Sequence, residues 1–270
     1  QAAQTHAGTY YLVDGEGWIN ASDLSTTDNR IEAVQKVLNE KYNNQERISV
    51  YVKQLDTDRV AAINDEKSMY AASVAKLGVL YYAQERLSQK KLSLSDEYQY
   101  TAAVNGFPGA YDPDGSGKIS KIPDDKNYSL ENLLKAVAQN SDNVATNILG
   151  YYVTNQYDKA FQKSVDKAAA TSWNMDKKEL TARAAGTLME AVYRQNGDII
   201  NYLSSTDYDG ERISKNIDVP VAHKIGDAYD FKHDVAIVYA DSPFILSIFT
   251  DKEGYDKITS IADDVYGILK

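Results

Sequence analysis

The chain has 270 residues, room for one large domain or a domain with a small appendage. Its 43% apolar and 25% charged content is ordinary globular usage and excludes wholesale disorder. A net charge of −10 argues against nucleic acid or an anionic membrane surface as partner. With no Cys there is no disulfide framework, thiolate zinc site or Cys nucleophile. No run of 18 apolar residues offers a transmembrane segment. The chain opens at Gln1 with no Met and no signal-like stretch, so it reads as a processed or truncated piece whose export signal or anchor lies elsewhere.

Residues 1–28 stand apart as an N-terminal arm. Tyr10-Tyr11-Leu12-Val13 and Trp18-Ile19-Asn20 are short strand candidates around a turn at Gly15-Glu16-Gly17. The run Gly17-Trp18-Ile19-Asn20-Ala21-Ser22-Asp23-Leu24 resembles the last strand and turn of bacterial SH3-like or GW cell-wall modules, which implies the tail of a wall-binding module. The main domain is expected over 29–270. Asp28 is a helix cap candidate, with Ile31, Val34 and Leu38 at helical spacing. Residues 48–52 and 60–64 alternate as a hairpin about the turn at 56–59. An Ala-, Leu- and Tyr-rich stretch from Ser73 to about Leu87 reads as a buried helix. Residues 105–128, rich in Gly and Pro, read as loop. Helices are expected after Ser129, over 144–152 and over 181–193. Strands are expected at 221–224, 234–239 and 244–249, and a closing helix over 255–269 carries Ile258, Ile261, Val265 and Ile268 inward. This order predicts an α+β fold, in which strands from both ends join one antiparallel sheet with helices on both faces, beside a mostly helical subdomain.

Chemistry concentrates in three short runs. In Ser73-Val74-Ala75-Lys76, residues three apart on a first helical turn share a face, so the Lys76 amine can reach the Ser73 hydroxyl. A serine needs a base to become a nucleophile, and a lysine buried among cations can serve. Ser141-Asp142-Asn143 follows a helix, and Lys224-Ile225-Gly226 lies on a strand followed by another strand. Each run has an ordinary reading: a plain cap and a solvated lysine, a capping turn, an exposed strand lysine. Their joint occurrence in this order is the signature of class A β-lactamases and penicillin-binding proteins, and the chain resembles that family of serine hydrolases over about 29–270.

The resemblance implies roles. Ser73 would be acylated, with Lys76 as its base. Ser141 would relay a proton between Lys76, Lys224 and the leaving nitrogen. Asn143 would bind Lys76 or a substrate amide, and Lys224 would meet a substrate carboxylate. The backbone N–H groups of Ser73 and Asp227 would form the oxyanion hole, with Ile225 and Gly226 beside them and Tyr111 at the mouth. The resemblance implies a serine acyl-enzyme hydrolase or transferase acting on D-Ala-D-Ala-like peptidoglycan stems or related amides or esters. The expected partners are a peptidoglycan stem peptide or a β-lactam-like small molecule, bound by a monomer at an extracellular or cell-surface site of a bacterial envelope. No cofactor or metal is implied.

Two departures narrow this. The family's deacylating glutamate lies in a Glu-x-x-Leu-Asn run. Between Asn143 and Thr181 this chain offers only Asp158, Asp166, Asp176 and Glu179, none in such a run, so a trimmed loop without that base is expected. Ile225 replaces a Thr or Ser whose hydroxyl helps hold a carboxylate, and isoleucine donates no hydrogen bond. Poor hydrolysis of β-lactams follows. The alternatives are a non-catalytic wall-peptide binding or regulatory protein on the same fold, and a true β-lactamase with an unusual base such as Asp166. His223 is expected to face away from Lys224, and His233-Asp234 has no serine elbow to complete a triad. Residues 112–123 resemble a calcium loop only in part, since Pro123 stands where the bidentate Glu belongs. Finally, 21 tyrosines against 5 phenylalanines suit carbohydrate or peptide contact.

Overall fold

The structure, a computed structural model, describes residues 2–5, 8–13, 17–23 and 28–270. The strands β1 (Ala2–Thr5), β2 (Gly8–Val13) and β3 (Gly17–Asn20) pair antiparallel in a small sheet of their own, followed by a 3-10 turn at Ala21–Asp23. Two of these strands match the sequence expectation, and β1 adds an edge. The expected turn at Gly15-Glu16 and the end of the wall-module run at Leu24 lie outside the described residues.

Helix α1 (Arg30–Lys41) buries Ile31, Val34 and Leu38, as the spacing predicts. Asp28 caps it from one position earlier than a standard cap: its carboxylate accepts from Arg30 N at 3.0 Å and pairs with the Arg30 guanidinium at 2.8 Å. The hairpin β4 (Ile48–Gln54) and β5 (Val60–Ile63) follows, then the two-residue β6 (Met69–Tyr70). A 3-10 turn at Ala72–Ala75 leads into α2 (Lys76–Ser88). Next come β7 (Glu97–Gln99) and, after the loop, β8 (Asn127–Ser129), which pair with each other. Helices α3 (Leu130–Asn140), α4 (Asn143–Tyr152) and α5 (Lys159–Ala169) form the helical block. Ser129 caps α3 by accepting from Asn132 N. The two-residue β9 (Glu179–Leu180) pairs with β6, and α6 (Ala182–Gln195) and α7 (Asp198–Leu203) lead to the last strands. These are β10 (Val221–Ala228), β11 (Phe231–Val238) and β12 (Phe244–Asp251), closed by α8 (Tyr255–Leu269).

One five-stranded antiparallel sheet, ordered β10-β11-β12-β4-β5, joins the two ends of the chain through the β12–β4 pairing. Its alternate residues feed two cores. Val235, Ile237 and Ile245 pack under Leu77, Leu134 and Leu188 of the helical block. Ala236, Val238 and Leu246 pack against Val34, Leu38, Ile258 and Ile261 of α1 and α8. The expected layered α+β arrangement is what the chain adopts. The stretch after α4 differs in detail: Asp158 accepts from Ala160 N and Phe161 N and starts a full helix, α5, before the loop at 170–178.

Candidate active site

Ser73 sits where the helical block meets β10. The preceding Ala72 is held at φ +49°, a left-handed conformation that costs a residue with a Cβ about 1–2 kcal/mol. The Tyr111 hydroxyl donates to the Ala72 carbonyl at 3.3 Å and supports that turn. Gly226 admits the strand: a Cβ there would stand 2.6 Å from the Ala71 carbonyl oxygen and 3.0 Å from Val74 Cγ2. Ser73 and Asp227 therefore line one cavity of about 310 Å³, with Tyr70, Tyr111, Asn143 and Lys178 among its walls.

Beneath Ser73 lies a sealed polar cluster. Lys76, with no exposed surface, donates to the Ser141 carbonyl at 2.6 Å and to Asn143 Oδ1 at 2.5 Å. Its Nζ also stands 3.5 Å from Ser141 Oγ. Lys224 Nζ donates to the same Oγ at 2.8 Å and to the Ile225 carbonyl at 3.0 Å. Burial, then the neighbouring charge of Lys224, holds the Lys76 amine well below its ordinary pKa. Burial, then the Arg212 charge, lowers Lys224 to about 7. The expected direct Ser73–Lys76 bond is not formed among the described residues. A neutral Lys76 has two N–H groups, both placed on Ser141 O and Asn143 Oδ1, and one lone pair left to take a proton.

Local sequence explains this placement. Ser141 ends α3 in the left-handed conformation (φ 53°), which turns the chain so that Asp142 can start α4. Asp142, fully buried, accepts from Ala145 N at 2.8 Å, Lys118 N at 2.6 Å and Ile119 N at 2.9 Å. It thereby clamps the 112–122 loop over the cavity, while Asn143 Nδ2 holds the Asp112 carbonyl at 2.8 Å. Gly117 must stay a glycine, because a Cβ would fall 2.2 Å from Asp142 Oδ2. The calcium-like spacing of this loop is thus a clamp, with Asp112 Oδ1 accepting from Asp114 N.

Ile225 is buried on the face of β10 opposite Lys224 and is not among the residues lining the cavity. His223 shares that face, as expected, yet it is no ordinary strand residue. Its ring bonds Asp234 at 3.1 Å, Asp209 at 3.1 Å and Thr206 at 3.0 Å. Burial opposes its charge, but Asp234 and Asp209 outweigh burial and raise its pKa to about 9. His233 bonds the Tyr70 carbonyl and Thr250 N and stacks on Phe249 at 4.0 Å, so His233 and Asp234 serve separate faces and form no catalytic pair. Asp166 fails as an alternative base: its carboxylate accepts from Gln162 Nε2 and Trp173 N, away from the cavity walls. Sequence reading missed Lys178, which lines the cavity from the end of the 170–178 loop. It donates to the Gly109 carbonyl at 2.8 Å and lies 4.5 Å from the Tyr111 ring, with burial lowering its pKa. It also missed Arg212, whose Nη2 meets Asp227 at 2.9 Å. Neither stands in a recognisable run, so only the fold could reveal them.

Comparison with known proteins gives the family and the fold. The sequence model of a family described as the beta-lactamase enzyme family matches residues 29–269. Among solved structures, PBP-A matches with TM-score 0.71 at 15% identity, over 89% of this chain and 95% of that one. A mutant of PBP-A, described as an acyl-enzyme complex with penicillin-G, matches with TM-score 0.71 at 15% identity over 88% and 95%. A beta-lactamase from Sphaerobacter thermophilus matches with TM-score 0.68 at 15% identity over 88% and 94%. At these identities the structural likeness establishes fold. No curated protein matches the chain.

Proposed function

The chain belongs to the beta-lactamase enzyme family, within the β-lactamase and penicillin-binding superfamily of serine hydrolases, and from that premise we propose that Ser73 forms a long-lived acyl-enzyme with peptidoglycan-like amides or esters. The observation that carries the reading is the Ser141 hydroxyl shared by two buried lysines. A lone serine or a binding pocket has no use for two desolvated amines at one oxygen, whereas proton transfer does.

In this mechanism the lone pair of Lys76 takes the Ser73 proton as Oγ bonds to the substrate carbonyl carbon. The N–H groups of Ser73 and Asp227 face the developing oxyanion. The C–N or C–O bond then breaks, and the proton returns through Ser141, polarised by Lys224, to the leaving atom. Acylation uses only groups present here. Deacylation needs a base for water, and the two acids on the cavity wall are committed: Asp112 to its own turn and Asp227 to Arg212. Loss of general-base help slows such a step by roughly 10²–10⁴-fold. This reading takes β-lactam turnover to be slow and the proposed setting to be stem peptides at the bacterial envelope, bound by a monomer. Residues 1–28 would serve as a wall-directed arm.

Intact-protein mass spectrometry after incubation with a penicillin and with an activated ester tests this. The expected result is one stoichiometric adduct that persists for many minutes and is absent in Ser73→Ala. If wild type and Ser73→Ala give the same spectrum, the nucleophile is wrong and the non-catalytic binding reading takes its place. Rapid multiple-turnover hydrolysis of a chromogenic cephalosporin would remove the slow-release part alone.

A further inference from the structure

The edge of β10 already holds a carboxylate of its own. Asp227 lines the cavity beside Ser73 and keeps 28% of its side chain exposed. That carboxylate pairs with Arg212 Nη2 at 2.9 Å, with Lys232 Nζ and with the Tyr255 hydroxyl. Arg212 is sealed, 1% exposed, under the Tyr255 ring whose centroid lies 4.0 Å from its Cζ. Its Nε and Nη1 are buried without a partner. A planar guanidinium is a natural carboxylate fork. Here the fork faces the protein's own carboxylate, and Glu211 lies 3.5 Å from the same Nη2. Two cations, Arg212 and Lys232, and two anions, Asp227 and Glu211, leave this edge with no net charge to attract an anion. Ile225, two positions back on the same face, offers no hydroxyl. Lys224 is directed at Ser141 Oγ and the Ile225 carbonyl.

We propose that this edge of the cavity selects an uncharged group, an amide or an ester, over a free carboxylate, and that Asp227 is the residue that sets the preference. The inference rests on the reading that Ser73 is acylated, and it narrows the substrate class to amides and esters, stem peptides included, whose carboxylate at this position is blocked. A ligand carboxylate arriving here meets a like charge already paired with Arg212 and Lys232, whereas a neutral group meets no such penalty.

The test uses two probes that differ only at this group: a penicillin and its methyl ester. The rate of adduct formation on Ser73 is followed by intact mass for wild type and for Asp227→Asn. In wild type the ester is expected to react at least tenfold faster than the acid. In Asp227→Asn that ratio is expected to fall at least fivefold, because the neutral amide removes the like charge and leaves the Arg212 and Lys232 cations in excess at this edge. The variant also controls for any intrinsic difference in reactivity between the probes. If wild type labels Ser73 but prefers the acid, or if Asp227→Asn leaves the ratio unchanged, this inference fails while the nucleophile stands. If neither probe nor an activated ester labels Ser73, the nucleophile reading fails and this one with it. Should Asp227→Asn not fold, the wild-type ratio is divided by the ratio of the two probes' rates with hydroxide, which gives their intrinsic reactivity, and a quotient of one or less overturns the inference.

Discussion

Lys224 is held near pKa 7 by burial first and by the Arg212 charge second, against the pull of Asp234. Below about pH 7 it is an ammonium that donates to Ser141 Oγ and sharpens that hydroxyl as a proton donor; above it the charge is lost. Acylation of Ser73 should therefore fall as pH rises through about 7. Lys224→Arg keeps a cation at every accessible pH, so its rate is expected to be lower throughout but without that alkaline limb. A pH profile of adduct formation checks this, and an identical limb in the variant would assign the titration to another group. At this scale Ser73, Lys76, Ser141, Asn143 and Lys224 were legible because each stands in a short run of fixed spacing. Lys178 and Arg212 were not. Each reaches the site from a loop, and no local pattern announces a lysine or arginine that tertiary packing buries.

The turn between α3 and α4 is where catalysis and folding share residues. Asp142 is the middle of the Ser141-Asp142-Asn143 run, and its carboxylate holds three backbone N–H groups from two segments. A capping turn and a functional motif look like rival readings of this run in the sequence, and the structure makes them one device. The cap orients Asn143 toward Lys76 while the second oxygen fixes the loop that roofs the cavity. Asp142→Ala leaves the buried Ala145 N–H and the part-buried Lys118 and Ile119 N–H groups without their acceptor, a loss of about 1–3 kcal/mol where water cannot reach the donor and less where it can. The denaturation midpoint should drop by the equivalent of at least about 1 kcal/mol, and acylation should slow more than in a surface variant of equal stability. Unchanged acylation in the fraction that remains folded would show that the roof is dispensable. Elements were readable where capping and period coincided, as at Ser129 and α1. Helix α5 has its Asp158 cap, but of the inward Phe161, Val165 and Ala169 the last is a small residue that marks a face weakly, unlike the Ile31, Val34 and Leu38 of α1. Six-residue α7 and the two-residue strands β6 and β9 are shorter than any period can register.

Across the whole molecule, the sheet is assembled from both chain ends, and its long strands were foreseeable as short apolar runs, nearly continuous because both faces are buried. What such runs do not give is register, and register decides which side chains meet across strands. The pairing of Ile225 with Asp234 puts His223 within reach of that carboxylate, and Asp234 in turn accepts from Ile213 N at 3.1 Å. With Asp209 on the other ring nitrogen, the buried imidazolium ties the edge strand β10 to the segment that carries Arg212. Its folded pKa of about 9 lies above the ordinary 6.5. The stabilisation it lends is therefore complete below about pH 6.5 and is lost as pH rises toward 9. Lys224 works in the opposite sense: its lowered pKa makes the fold gain stability as pH rises above 7, so the wild-type curve alone mixes the two. Comparison with His223→Gln separates them, since Lys224 is common to both proteins. The gap in urea midpoint between wild type and His223→Gln should be widest near pH 6 and shrink steadily by pH 9. A gap that does not change with pH would mean that His223 contributes packing rather than charge, and that β10 is held against the Arg212 segment by neutral hydrogen bonds.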